Sequence, residues 1–180
     1  MGAPWRFQVV AEDPPPPPSD WPQLNFNASA WTNGFSGFST YTTEPNIEVT
    51  YLGRTNVTSV CFRARFNVPD PAEIRWLILR MDYVSGFVAF LNGREIARRG
   101  LVGTPPPFDA VSTGHARQAT EDLDVSAHRD ALVPGTNVLA IQLHGTTQPA
   151  ADLVLVPELC ANFQRGPFLQ NVSTQGVEIV

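Results

Sequence analysis

The stretch Phe87–Arg99, FVAFLNGREIARR, decides the fold when it is set beside Asn137–Leu143, NVLAIQL. In the first, an apolar run meets Asn92-Gly93 and resumes as Glu95-Ile96-Ala97. Asn-Gly between two strand-like runs is a strong hairpin signal, because both residues tolerate the positive φ of a type I′ turn. The second stretch follows the turn Pro134-Gly135 and alternates Leu139, Ile141 and Leu143 against Ala140, Gln142 and His144. Hairpin, turn and core strand together predict an antiparallel sandwich. They mark no active site.

Composition agrees. The chain has 180 residues, 43% hydrophobic and 16% charged, which suits one domain with a real core and a fragment of a second. Its 17 prolines and 13 glycines favour many short strands over long helices. A net charge of −5 argues against nucleic acid or an anionic membrane as partner. The 12 basic residues are all arginine, which fits the bias of a GC-rich genome. No apolar run reaches membrane-spanning length. The start, Met1–Arg6, has no apolar h-region, and Arg6 stands where a myristoylation signal needs Ser or Thr.

Outward from the hairpin, strands are predicted at 1–10, 47–52, 58–68, 74–81, 86–91, 94–98, 137–144 and 152–159. Pro14–Pro18 lies between the first strand and Trp21-Pro22, so it reads as a stiff connector rather than an SH3-type ligand. Residues 23–40 carry Phe26, Trp31, Phe35 and Phe38 among polar residues, an irregular segment packing over the sandwich. Pro105–Pro107 opens a loop through Gln118, and a short helix is expected near 127–132 with Ser126 as its N-cap. Trp5, Trp31 and Trp76 read as core. The arrangement is all-β, an antiparallel jelly-roll β-sandwich.

The two cysteines share one property. Phe62, Ala64 and Phe66 face inward and leave Cys61 outward; Leu153, Leu155 and Leu159 do the same to Cys160. A disulfide between neighbouring strands is therefore expected, and with it an exported, secreted or cell-surface protein. Closing a loop of about a hundred residues would add roughly 4–5 kcal/mol in the chain-entropy description.

Five motifs in order carry a resemblance over residues 4–160. They are Trp5-Arg6-Phe7, Phe26-Asn27-Ala28-Ser29-Ala30-Trp31, the hairpin, Pro134-Gly135-Thr136-Asn137-Val138-Leu139-Ala140, and Ala150-Ala151-Asp152-Leu153. The domain resembles galactose-binding-like jelly-roll modules of bacterial secreted hydrolases and the sugar-binding domains of family-2 glycosidases. It departs from them at Asn27 and Ala28, where they carry two acids, and at Ala150-Ala151, where they carry two serines. A second resemblance covers only 165–180: Gly166-Pro167-Phe168-Leu169-Gln170-Asn171-Val172, then Gly176-Val177-Glu178-Ile179-Val180. It is similar to the opening of the fibronectin-type-III-like domain ahead of purple-acid-phosphatase metallophosphoesterases. This implies a jelly-roll module over 1–163, then a linker and the truncated start of that domain over 164–180. A phosphoesterase would follow in cis.

No catalytic set is expected within the chain. His115, His128 and His144 are far apart and lack the Asp and Asn neighbours of a dimetal centre, and no nucleophile elbow marks a serine. Sugar recognition calls for aromatic faces beside polar groups. Tyr83, Phe108, His115 and Arg117 lie in or beside predicted loops, and His144 and Asp152 flank one turn, as sugar ligands or as a hydrogen-bonded pair. Asp82, Asp109, Asp122 and Asp124 are the oxygen donors for a possible structural calcium; no other cofactor is expected. The expected function is a non-catalytic, carbohydrate-binding accessory module. The alternative is a structural domain docked on its phosphoesterase, with no sugar bound.

Overall fold

The computed structural model describes residues 4–11, 16–42, 49–53, 57–114, 116, 120–150 and 152–163. The elements are β1 (Pro4–Val10), β2 (Thr32–Phe35), β3 (Phe38–Ser39), β4 (Thr50–Tyr51), β5 (Ser59–Val68), β6 (Ile74–Val84), β7 (Gly86–Leu91), β8 (Arg94–Arg99), β9 (Glu121–Asp124), β10 (Gly135–His144) and β11 (Val154–Phe163). They form a six-stranded sheet, β2-β1-β5-β10-β7-β8, and a five-stranded sheet, β4-β3-β11-β6-β9. Every pairing is antiparallel except the two-residue match of β3 with β4. The jelly-roll sandwich expected from the alternation is the fold.

Alternation places the core between the sheets. Val60, Phe62 and Ala64 of β5, Leu139, Ile141 and Leu143 of β10, and Leu77, Leu79 and Met81 of β6 meet there, all buried. Phe38 sits at the centre of an aromatic group, 4.6 Å from Phe62 between ring centroids and edge-on to Trp5 and Phe7. Each such ring contributes roughly 1.5–3 kcal/mol of transfer free energy on burial.

A second apolar cluster lies on the other face of the six-stranded sheet. Val10, Cys61, Val88, Phe90, Val138 and Ala140 point outward and are roofed by Trp21 and Trp31, with Leu24, Phe26 and Phe108 beside them. Trp31 and Phe26 of the roof belong to the aromatic-rich segment predicted over 23–40, but the rest of that segment is regular. Thr32–Phe35 is the edge strand β2, and Phe38 of β3 enters the core between the sheets instead of packing over it. Arg63 fastens it. Its guanidinium, only 4% exposed, donates to the carbonyls of Trp21 and Gln23 and, at 3.5 Å, Phe26, and lies 5.3 Å from the Phe26 ring. Burial and the neighbouring Arg65 lower its pKa to about 10. Because both faces are covered, β7 is apolar along its whole length, a pattern characteristic of strands buried on both sides.

The hairpin turn is type I′ in sign, with φ of 51° at Asn92 and 89° at Gly93. Asn92 also reaches across to Asn137. Asn137 Oδ1 accepts from Asn92 Nδ2 (2.7 Å) and from Val133 N–H (2.9 Å), while its Nδ2 donates to the carbonyls of Val133 and Gly135. Asn92 Oδ1 accepts from Val138 N–H and its Nδ2 also donates to the Ala131 carbonyl. The two motifs that reveal the fold in sequence are thus locked to each other.

Three expectations are corrected. Cys61 and Cys160 are free thiols. Both do point outward, but Cys61 lies on β5 in one sheet and Cys160 on β11 in the other, so the sandwich separates them. Stacked sheets lie about 10 Å apart, beyond the reach of a disulfide. Trp76 is 45% exposed rather than core, because Leu77, Leu79 and Met81 take the inward parity of β6. The short helix is a 3-10 turn over Ser126–Ala131 with Val125 at the cap position. Ser126 instead uses its Oγ to accept from Leu77 N–H at 2.9 Å, tying the turn to β6.

Candidate functional site

One end of the sandwich gathers the termini of β6, β8 and β10 and the starts of β5, β7 and β11. The connection after β8 folds over it. Ser112 N–H donates to Gly145 O and Thr113 N–H to Gly100 O, each at 2.9 Å. A Cβ on Gly86 would fall 2.5 Å from Ser112 Cβ and 2.9 Å from Arg99 O, so only glycine admits this approach. Gln148 Nε2 donates to the carbonyls of Thr58 and Asp109 and joins the next loop to the same end.

Four of the six sequence-predicted ligands fall within the described residues, all at this end. Tyr83 is buried. Its ring stands edge-on to Phe87 at 4.8 Å, and its hydroxyl donates to Glu121 Oε2 at 3.1 Å. Burial first, and then Glu121, push its pKa up to about 12. Phe108 is half-buried against the outer apolar cluster. His144 is fully buried, with Nδ1 2.8 Å from the Ala110 carbonyl. Asp152 is exposed, and its Oδ1 accepts from the Tyr41 hydroxyl. His115 and Arg117 lie outside the described residues. The hydrogen bond expected between His144 and Asp152 is not made, since each has its own partner on opposite sides of the Ser85-Gly86 corner. Ser85 Oγ donates to the Asp152 carbonyl at 3.2 Å, while Gly86 pairs with His144.

Sequence reasoning missed Tyr41. It lies just past β3, is 37% exposed, and has its hydroxyl on Asp152. An aromatic residue between two threonines beyond a strand end was the available signal. Ser59 and Gln142 were missed as well. They are polar residues on strands whose two faces are both buried, which is signal enough once the roof is known.

The acids considered for calcium are spread out. Asp122 receives a two-pronged contact from Arg80 (2.7 and 3.1 Å), which also reaches Glu158 at 3.2 Å. Asp124 Oδ1 accepts from Ser126 N–H at 2.9 Å. These partners hold both carboxyls below their usual pKa, Arg80 for Asp122 and Ser126 for Asp124. Among the described residues no three His, Cys, Asp or Glu side chains gather as a metal-binding group. No helix among them is long and apolar enough to cross a membrane.

No protein-family model matches the sequence, and no curated protein does. Solved structures do. The crystal structure of a Bacteroides uniformis beta-glucuronidase superposes with a TM-score of 0.52 at 15% identity, over 88% of this chain and 17% of that one. This chain shares its β-sandwich fold with a segment of that protein. A Bifidobacterium dentium beta-glucuronidase complexed with coumarin-3-O-glucuronide gives 0.49 at 18% identity, over 80% of this chain and 19% of that one. A beta-glucuronidase from glycoside hydrolase family 2 gives 0.46 at 14%, over 87% and 17%. The chain spans about a fifth of the length of these proteins.

Proposed function

We propose that this chain is a non-catalytic accessory module that binds glycan for a larger protein. The observation that carries the reading is the Tyr41–Asp152 pair at the loop end: an exposed aromatic ring whose hydroxyl is held by an exposed carboxylate. Sugars bind proteins through C–H faces laid on aromatic rings and hydroxyls read by polar groups, and this pair offers both. The fold shared with a segment of a beta-glucuronidase adds support. A glycan array probed with the 180-residue chain tests it. Binding is expected, with an affinity loss of about tenfold in Tyr41→Ala, the equivalent of about 1.4 kcal/mol. An intact chain that binds no glycan overturns the reading.

A second reading is a docking domain that packs on its parent protein. It is favoured by the outer face of the five-stranded sheet, where Trp76 is exposed beside half-buried Ile78. The identity of the parent is a separate proposal. A metallophosphoesterase is implied only by residues 165–180, which lie outside the described residues; the fold shared with a segment of a beta-glucuronidase supports a glycosidase instead.

A further inference from the structure

Three polar side chains meet on the outward face of the six-stranded sheet at the loop end. In the β5–β10 register Ser59 stands directly across from His144, and Gln142 across from Cys61, one step along the same face. Cross-strand neighbours have Cβ atoms about 4.5–5.5 Å apart, and same-face neighbours along a strand about 7 Å. All three residues are buried, Ser59 and His144 completely and Gln142 to 1% exposure. Ser59 Oγ, Gln142 Nε2 and His144 Nε2 each lack a hydrogen-bond partner among the described residues. Buried polar groups in native proteins are nearly always paired, so three unanswered atoms in one patch call for a group that answers them.

Their chemistry says which group. The Ala110 carbonyl can only accept, so His144 Nδ1 carries the proton and donates to it. Burial lowers the His144 pKa and so favours the neutral ring, whose Nε2 is then an acceptor. Gln142 Nε2 can only donate, and Ser59 Oγ can do either. An anion would face the lone pair of His144, and an ammonium would face the N–H groups of Gln142. A hydroxyl satisfies both.

We propose that Ser59, Gln142 and His144 form a slot for one hydroxyl group, which donates to His144 Nε2 and accepts from Gln142 Nε2. Water and a sugar alcohol present the same chemistry to it. The slot does not rest on the Tyr41–Asp152 reading, since water fills it whether or not the module binds glycan.

The test is rotating-frame NOE spectroscopy on the full, 15N-labelled chain, in buffer and with galactose as the probe. A water cross-peak to the Gln142 side-chain amide that survives galactose identifies trapped water as the occupant. Its replacement by contacts to galactose protons identifies a sugar hydroxyl. Contact with neither overturns the slot. A second measurement uses Ser59→Ala, which removes one polar atom with little change of shape. If a hydroxyl bridges the three groups, the melting temperature falls by about 2–4 °C. If the atoms are simply unpaired, removing one leaves it unchanged or raises it, and the proposal fails.

Discussion

Strands β7 and β10 run side by side, and their two ends are built on different principles. At the Asn92–Asn137 end both side-chain amides are matched to named partners on the β10 turn, on the 3-10 turn and on each other. At the Gly86–His144 end Ser59, Gln142 and His144 are as buried as Asn137 yet leave three atoms unanswered. A closed network specifies one backbone arrangement and has nothing to offer a ligand. An open one keeps hydrogen-bonding capacity in reserve. The difference separates the end that fixes the fold from the end that carries the candidate sites.

The largest effect should come from opening the closed end. Asn137→Ala strips partners from Val133 N–H and from Asn92 Nδ2, and urea unfolding should show a loss of about 3 kcal/mol. A loss below about 1 kcal/mol would mean the network is not what holds that end. Next is the roof that closes the outer face between the two ends. Arg63→Ala removes the donor shared by the carbonyls of Trp21, Gln23 and Phe26 and should cost about 2 kcal/mol. It should also change thiol chemistry. In the native protein Cys61 is fully buried whereas Cys160 is partly exposed, so a thiol reagent should label only Cys160. With the roof loosened both should react, as counted by mass spectrometry.

The smallest effect is expected at Tyr83, which is buried near the open end but paired to Glu121. Tyr83→Phe should cost about 1 kcal/mol. The folded protein holds the phenolic proton more tightly than the unfolded chain, with a pKa of about 12 against 10.0. That contribution is complete below pH 10 and is lost as pH climbs through 12, so across this window the stability advantage of wild type over Tyr83→Phe should shrink. A difference that stays constant would contradict the assignment.

The sandwich was legible because its strands alternate. Phe62/Ala64, Leu139/Ile141/Leu143 and Leu153/Leu155 all face the same interior, as their parity requires. The cysteines show where parity stops. It gave both thiols an outward direction correctly, yet it carries no information on which sheet a strand joins, and the disulfide failed on that point. Trp76 was misread for a related reason. Its apolar neighbours suggested burial, while two of them, Leu77 and Leu79, take the inward positions of the strand. The candidate site was legible in its location but not in its pairings. His144 and Asp152 do lie at one end, but on two sides of a corner between sheets, a separation that depends on how the chain crosses from β6 to β7. Gln142 and Ser59 gained meaning only with the roof, because a polar residue facing outward on a strand is ordinary until that face is covered.

An atomic-resolution crystal structure of the full chain compares the two ends most directly. The account predicts one ordered oxygen within about 3 Å of Ser59 Oγ, Gln142 Nε2 and His144 Nε2. It predicts none inserted between Asn92 and Asn137. Side chains at 59, 142 and 144 that turn to pair with the protein, leaving no room for a third party, would contradict it.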